Sequence, residues 1–103
     1  MNRERFFKDR RLPFAEGRHS QDSRRVFKPH MHRSFCIGAV DQGDVFYQVE
    51  GHSVHLKPGA LTLINPEILH SCNPQTSDAR SYYMLYLQTD WCLKVQQSFW
   101  QTD

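Results

Sequence analysis

No stretch of the sequence approaches the roughly 18 consecutive apolar residues that a membrane span requires, and its charged start lacks the apolar middle of a signal peptide. No membrane partner is expected, and the chain reads as soluble and cytoplasmic. Cysteine is scarce: Cys36, Cys72 and Cys92 cannot all pair within one chain, and none lies in a C-x-x-C array. A disulfide scaffold, a zinc ribbon and a thioredoxin-like motif are thereby excluded, and a reducing compartment fits best. Net charge is also small, 13 Lys plus Arg against 11 Asp plus Glu, which is too near neutral for nucleic-acid binding by the chain as a whole. There is no internal repeat, no low-complexity tract and no Gly/Ser linker. At 103 residues the chain has room for one core and no second folded domain.

What is present is 39% hydrophobic residues with 13% aromatics, enough to bury a core. Charge is unevenly placed. Residues 1–25 carry eight basic against four acidic groups, an excess of +4 in a chain whose total is +2. Residues 1–12 hold seven charges and only Phe6, Phe7 and Leu12 as large apolar groups past the initiator, the pattern of a mobile arm with a sticky aromatic pair.

From Leu12 to Leu87, short apolar runs alternate with Gly, Pro and Asn, the spacing of an all-β sandwich or barrel. Strands are predicted near Pro13–Gly17, Arg24–Phe27, His32–Val40, Val45–Glu50, Ser53–Leu56, Leu61–Ile64, His70–Cys72 and Ser81–Leu87. Turns are expected at Glu50-Gly51, at Lys57-Pro58-Gly59 and at Asn65-Pro66. After Leu87 the period changes. Thr89 or Asp90 can cap a short C-terminal α-helix whose Trp91, Val95 and Phe99 form one apolar stripe. Too short to be stable alone, that helix must pack on the barrel or on another surface. The resulting division is an arm over 1–12, a barrel over 13–88 and the start of a helix over 89–103.

Six histidines are many for this length. His30 and His32 share a face if the strand already runs there, and His70 follows a proline turn on a different strand. Three imidazoles projecting into a small barrel can form a metal site or a polar ligand anchor; equally, they can hydrogen-bond one another and the backbone. His52 and His55 have opposite parities and read as exposed hairpin residues, and His19 reads as loop. Cys72 and Cys92 read as packing groups.

His30-Met-His32, then Gly43 before a hairpin, then Leu56-Lys-Pro-Gly59 and Ile64-Asn-Pro66 leading to His70, is similar to the two signature motifs of cupins. Leu12-Pro-Phe-Ala-Glu16, the Leu63-Ile-Asn-Pro66 turn with His70-Ser71, and Tyr82-Tyr-Met-Leu-Tyr-Leu87 more narrowly resemble the effector-sensing N-terminal domain of AraC-type transcription regulators. The resemblance spans roughly residues 12–100. It implies a cupin double-stranded β-helix, a jelly-roll-like barrel with a short C-terminal helix, that binds a small effector such as a sugar or an organic acid and forms a homodimer. It further implies that DNA is contacted only through a helix-turn-helix domain not contained in this chain.

The metal-binding cupins carry a Glu past the second His, where this sequence has Cys36 and Ile37. Cys36 shares the parity of His30 and His32, so its thiolate can stand in for the carboxylate, and His30, His32, Cys36 and His70 would then suit zinc or another divalent metal. Without a metal, the ligand-contacting set expected from the motifs and aromatics is Phe14, His30, His32, Phe35, Tyr47, His70 and Tyr83. Two functions follow: a non-enzymatic sensor domain without a cofactor, or a small metal-dependent cupin enzyme such as a dioxygenase or isomerase. A filled barrel serving only for dimerisation is the third possibility.

Overall fold

The turns punctuate the chain where Gly and Pro fall. A computed structural model describes residues 3–26, 28–74 and 79–100. Val45–Val49 (β4) and His52–Leu56 (β5) pair antiparallel with Val49 opposite His52, leaving Glu50 and Gly51 as a two-residue loop. Both loop residues have positive φ, 49° and 79°, which is the type I′ geometry that matches strand twist. Pro58-Gly59 makes the next turn, closed by a bond from Ala60 N–H to the Lys57 carbonyl.

The remaining strands are Arg3–Lys8 (β1), Ala15–Ser23 (β2), Phe35–Gln42 (β3), Leu61–Ile64 (β6), His70–Pro74 (β7) and Arg80–Leu87 (β8), followed by the helix Thr89–Trp100 (α1). They form a five-stranded sheet in the order β1-β2-β8-β3-β6 and a three-stranded sheet in the order β5-β4-β7. All pairings are antiparallel. The all-β class with one short C-terminal helix is therefore observed. No helix is long and apolar enough to cross a membrane among the described residues.

Three expectations need correction. The N-terminal segment is not a free arm over its length, because Arg3–Lys8 form β1 and pair in register with β2. Its alternating charges are those of a solvent-facing edge strand, which hydropathy alone does not separate from a tail. His19 lies in β2, not in a loop, and is buried. No strand covers residues 24–26, and Phe27 lies outside the described residues. The chain instead turns at an irregularity between Ser20 and Ser23, where Asp22 takes φ 52° and its N–H donates to the Ser81 hydroxyl.

Along β3, Cys36, Gly38 and Val40 alternate inward and face Tyr86, Met84 and Tyr82 of β8. Gly38 is needed there: a Cβ would stand 2.6 Å from the Thr62 hydroxyl and 3.0 Å from the Met84 sulfur. Only Cys36, Val40, Val45 and Ile64 are fully buried apolar residues among those described, beside buried Ser20, Ser23, His70, Ser71, Arg80 and Ser81. So thin and polar a core leaves space between the sheets. Arg80 bridges them, donating to the Ser23 carbonyl at 3.1 Å and to the Cys72 carbonyl at 3.0 Å.

Helix α1 begins with the Cys92 N–H bonded to the Gln88 carbonyl, while the Thr89 hydroxyl donates to the Arg33 carbonyl. Asp90 sits in the first turn, where its charge complements the helix dipole. Of the expected stripe, Trp91 and Val95 are half-buried against the sheet end, and Phe99 is exposed.

Candidate functional site

The cavity between the sheets has a volume of about 370 Å³. Its first wall comes from β8, where Tyr82, Met84 and Tyr86 point inward, joined by Arg18 of β2 and Ile64 of β6. The opposite wall comes from His70 and Cys72 of β7, with Lys28, His30 and His32 at the segment preceding β3.

His30 and His32 do not reach the site as strand residues, since β3 begins only at Phe35. An isolated bridge does the work: His30 N–H bonds the His70 carbonyl and His70 N–H the His30 carbonyl, each at 2.9 Å. His32 is fixed from the other side, its carbonyl accepting the Glu67 N–H at 2.7 Å from the Pro66-Glu67 turn. Ring centroids then lie 4.9 Å apart for His30–His32, 4.6 Å for His30–His70 and 5.3 Å for His32–His70. One ligand atom from each of the three histidines falls within 4.8 Å of the others.

The tautomers follow from the hydrogen bonds. His30 Nδ1 stands 2.9 Å from the Lys28 carbonyl and His70 Nδ1 2.9 Å from the Ile68 carbonyl. A carbonyl only accepts, so Nδ1 carries the proton and Nε2 the lone pair in both neutral rings. That is the arrangement by which metal-ligating histidines are usually oriented. Burial, reinforced by the neighbouring imidazoles, holds His32 and His70 below the ordinary histidine pKa, with the Ile68 carbonyl partly opposing this at His70. The donor set thus fits a divalent cation bound by three neutral imidazoles.

Cys36 is not part of this group. It is fully buried opposite Tyr86 and Ile64, its thiol reaches the Ser34 carbonyl at 3.7 Å, and burial pushes its pKa up to about 11.

Arg18 was not among the expected site residues. Its Nε and Nη2 each donate to Glu4 of β1 at 2.8 Å, the Ser20 hydroxyl completes the carboxylate's partners at 3.0 Å, and the rings of Phe6 and Tyr82 lie 5.6 and 5.8 Å from the guanidinium. The Glu4 carboxylate raises the Arg18 pKa further, and Arg18 in turn lowers that of Glu4.

Of the other expected ligand residues, Tyr47 lies next to the site, opposite Cys72 in the β4–β7 ladder and 6.4 Å from the His70 ring. Neither Tyr47 nor the remaining three line the cavity itself. Tyr83 faces outward, 47% exposed and stacked on His19; the inward residues of β8 are its neighbours Tyr82 and Met84. Phe14 stacks on Trp91, and Phe35 lines a separate groove beside α1. Both serve the helix, whose demand for a packing surface competes with the lumen for aromatics. His52 and His55 are both exposed, as expected of hairpin residues, although they lie on opposite faces of β5.

Comparison with solved structures gives the same barrel. A Cupin 2 conserved barrel domain protein from Salinispora arenicola matches with a TM-score of 0.74 at 13% identity, over 94% of this chain and 84% of that one. A cupin-like protein from Thermotoga maritima matches with a TM-score of 0.73 at 20% identity, over 84% and 68%. KdgF from a Halomonas species matches with a TM-score of 0.68 at 20% identity, over 88% and 83%. These likenesses establish the cupin double-stranded β-helix. No curated protein is matched by sequence. The family model of the AraC-like ligand binding domain matches residues 14–99, and the chain, with its histidine-lined lumen between two antiparallel sheets, belongs to that family.

Proposed function

We propose that this domain is the receptor for a small-molecule effector, a binding module that passes occupancy to a DNA-binding domain through α1 and β1. The observation that carries the reading is the cavity of about 370 Å³, whose lining combines the apolar groups of Ile64, Cys72 and Met84 with convergent polar groups on Arg18, His32, His70 and Tyr86. β1 touches the same cavity wall indirectly, since Glu4 holds Arg18. An effector that favours one position of β1 or α1 shifts the equilibrium only by its differential affinity for that position. Homodimerisation belongs to this proposal: α1 exposes Leu93, Phe99 and Trp100, a surface that a second copy covers by symmetry. The three free thiols suit the cytoplasm.

The test is a ligand-binding screen against the purified domain. A true effector at about 100-fold over its Kd stabilises the fold by about 2.7 kcal/mol, and the shift is lost in a His70→Ala variant. A screen in which every stabilising compound acts equally on the wild type and that variant overturns the reading.

The three-imidazole cluster supports a second reading, a metal-dependent cupin enzyme of the dioxygenase or isomerase kind. His30, His32 and His70 would hold the ion, and a bound divalent metal supplies Lewis-acid polarisation of a substrate oxygen. Tyr86, its ring 5.5 Å from that of His32, would orient the substrate, and burial keeps its phenol protonated.

A further inference from the structure

We infer that the ligand of the lumen is a small organic anion, a monocarboxylate with an apolar body, held by Arg18 in the wall and Lys28 at the rim. The inference deepens the effector-binding reading and rests on it. Three observations favour an acid over a sugar. The cavity lining contains two formal cations, Arg18 and Lys28, and no Asp, Glu, Asn or Gln. A sugar presents hydroxyl donors along with acceptors, and the carboxylate and amide side chains that accept such donors most strongly are absent from this lining, which leaves imidazole lone pairs and the Tyr82 and Tyr86 hydroxyls.

Second, the guanidinium is positioned before any ligand arrives. Its side chain is 16% exposed, and Glu4 occupies its Nε edge through two hydrogen bonds. Two of the roughly five N–H donors are thus used to fix the fork, while the guanidinium also reaches the Tyr86 hydroxyl and lines the lumen beside it. Glu4 itself does not line the cavity, and its oxygens are taken by Arg18 and Ser20. The pair therefore presents its positive end to the ligand. Third, the wall includes apolar surface, with Ile64, Met84, Cys72 and the faces of Tyr82 and Tyr86 available to a hydrocarbon body.

The experiment uses matched pairs of equal shape: benzoate against benzamide, and hexanoate against hexanamide, titrated calorimetrically into the EDTA-treated domain. Each acid is expected to bind roughly tenfold or more tightly than its amide, with the preference falling as salt is added. Arg18→Met alone strands Glu4, so the decisive variant is the double E4Q/R18M, checked for folding by circular dichroism; in it the preference disappears. Lys28→Ala, at an exposed position that leaves the fold untouched, weakens acid binding about threefold. Equal binding of acid and amide, or a preference that survives in both variants, overturns the inference while leaving a ligand-binding domain. Binding of neither member of any pair overturns it and counts against the effector reading as well.

Discussion

Phe14 and Trp91 lie face to face, ring centroids 4.2 Å apart and planes within 2°, joining the turn before β2 to the first turn of α1. α1 has no fully buried residue, and this stack is one of the contacts that hold it to the barrel. Trp91→Ala is expected to cost about 2–3 kcal/mol and to remove part of the helical signal, because an isolated helix of this length is unstable. Urea unfolding with far-UV circular dichroism measures both; an unchanged midpoint would show that α1 is held by something other than this pair.

Cobalt titration tests the histidine cluster. The domain should bind one Co²⁺ and develop visible d–d absorption that His32→Ala and His70→Ala each abolish. Cys36→Ser should leave the spectrum unchanged, with no sulfur-to-metal charge-transfer band, because Cys36 lies outside the group. A strong thiolate band lost in C36S would place the sulfur in the site after all.

Acid should loosen β1. The Glu4 carboxyl lies below its usual pKa chiefly through the Arg18 hydrogen bonds, with burial opposing. A depressed folded-state value makes this contribution complete above the unfolded carboxylate pKa and lost as pH falls through the folded value. Glu4→Gln is therefore less stable at pH 7, and the difference from wild type shrinks below about pH 4.5. Hydrogen exchange of the β1 amides over that range is the direct readout; a gap between the two proteins that stays constant with pH would refute it.

Arg80 links the two sheets from a position only 1% exposed, its ring neighbour Tyr82 lying 5.2 Å away. Arg80→Met strands the Ser23 and Cys72 carbonyls and is expected to cost roughly 2–4 kcal/mol. Arg80→Lys should not restore it, since a single ammonium lacks the fork that reaches both carbonyls. Thermal denaturation of the two variants decides this, and a lysine variant as stable as wild type would mean that charge rather than geometry matters.

β4, β5 and β6 were legible within a residue or so because Glu50-Gly51 and Pro58-Gly59 fix their ends in local turn chemistry. β1 was not, because Arg3, Glu4 and Arg5 have no apolar alternation, and the partner that makes them a strand lies in β2. The histidines of the lumen were readable as a motif, although what unites them is the His30–His70 bridge rather than strand parity. Arg18 gave no local signal, as its partner Glu4 stands fourteen residues away on another strand. Tyr83 was expected inside because the face of β8 depends on long-range register; Tyr82, Met84 and Tyr86 share a period of two that marks the alternative face.

Burial raises the Cys36 and Cys72 thiols to about 11, and Cys72 forms part of the lumen wall. At neutral pH only about one molecule in ten thousand carries a thiolate at either position. An electrophile entering the pocket thus meets a Cys72 sulfur held almost wholly as the weakly nucleophilic thiol.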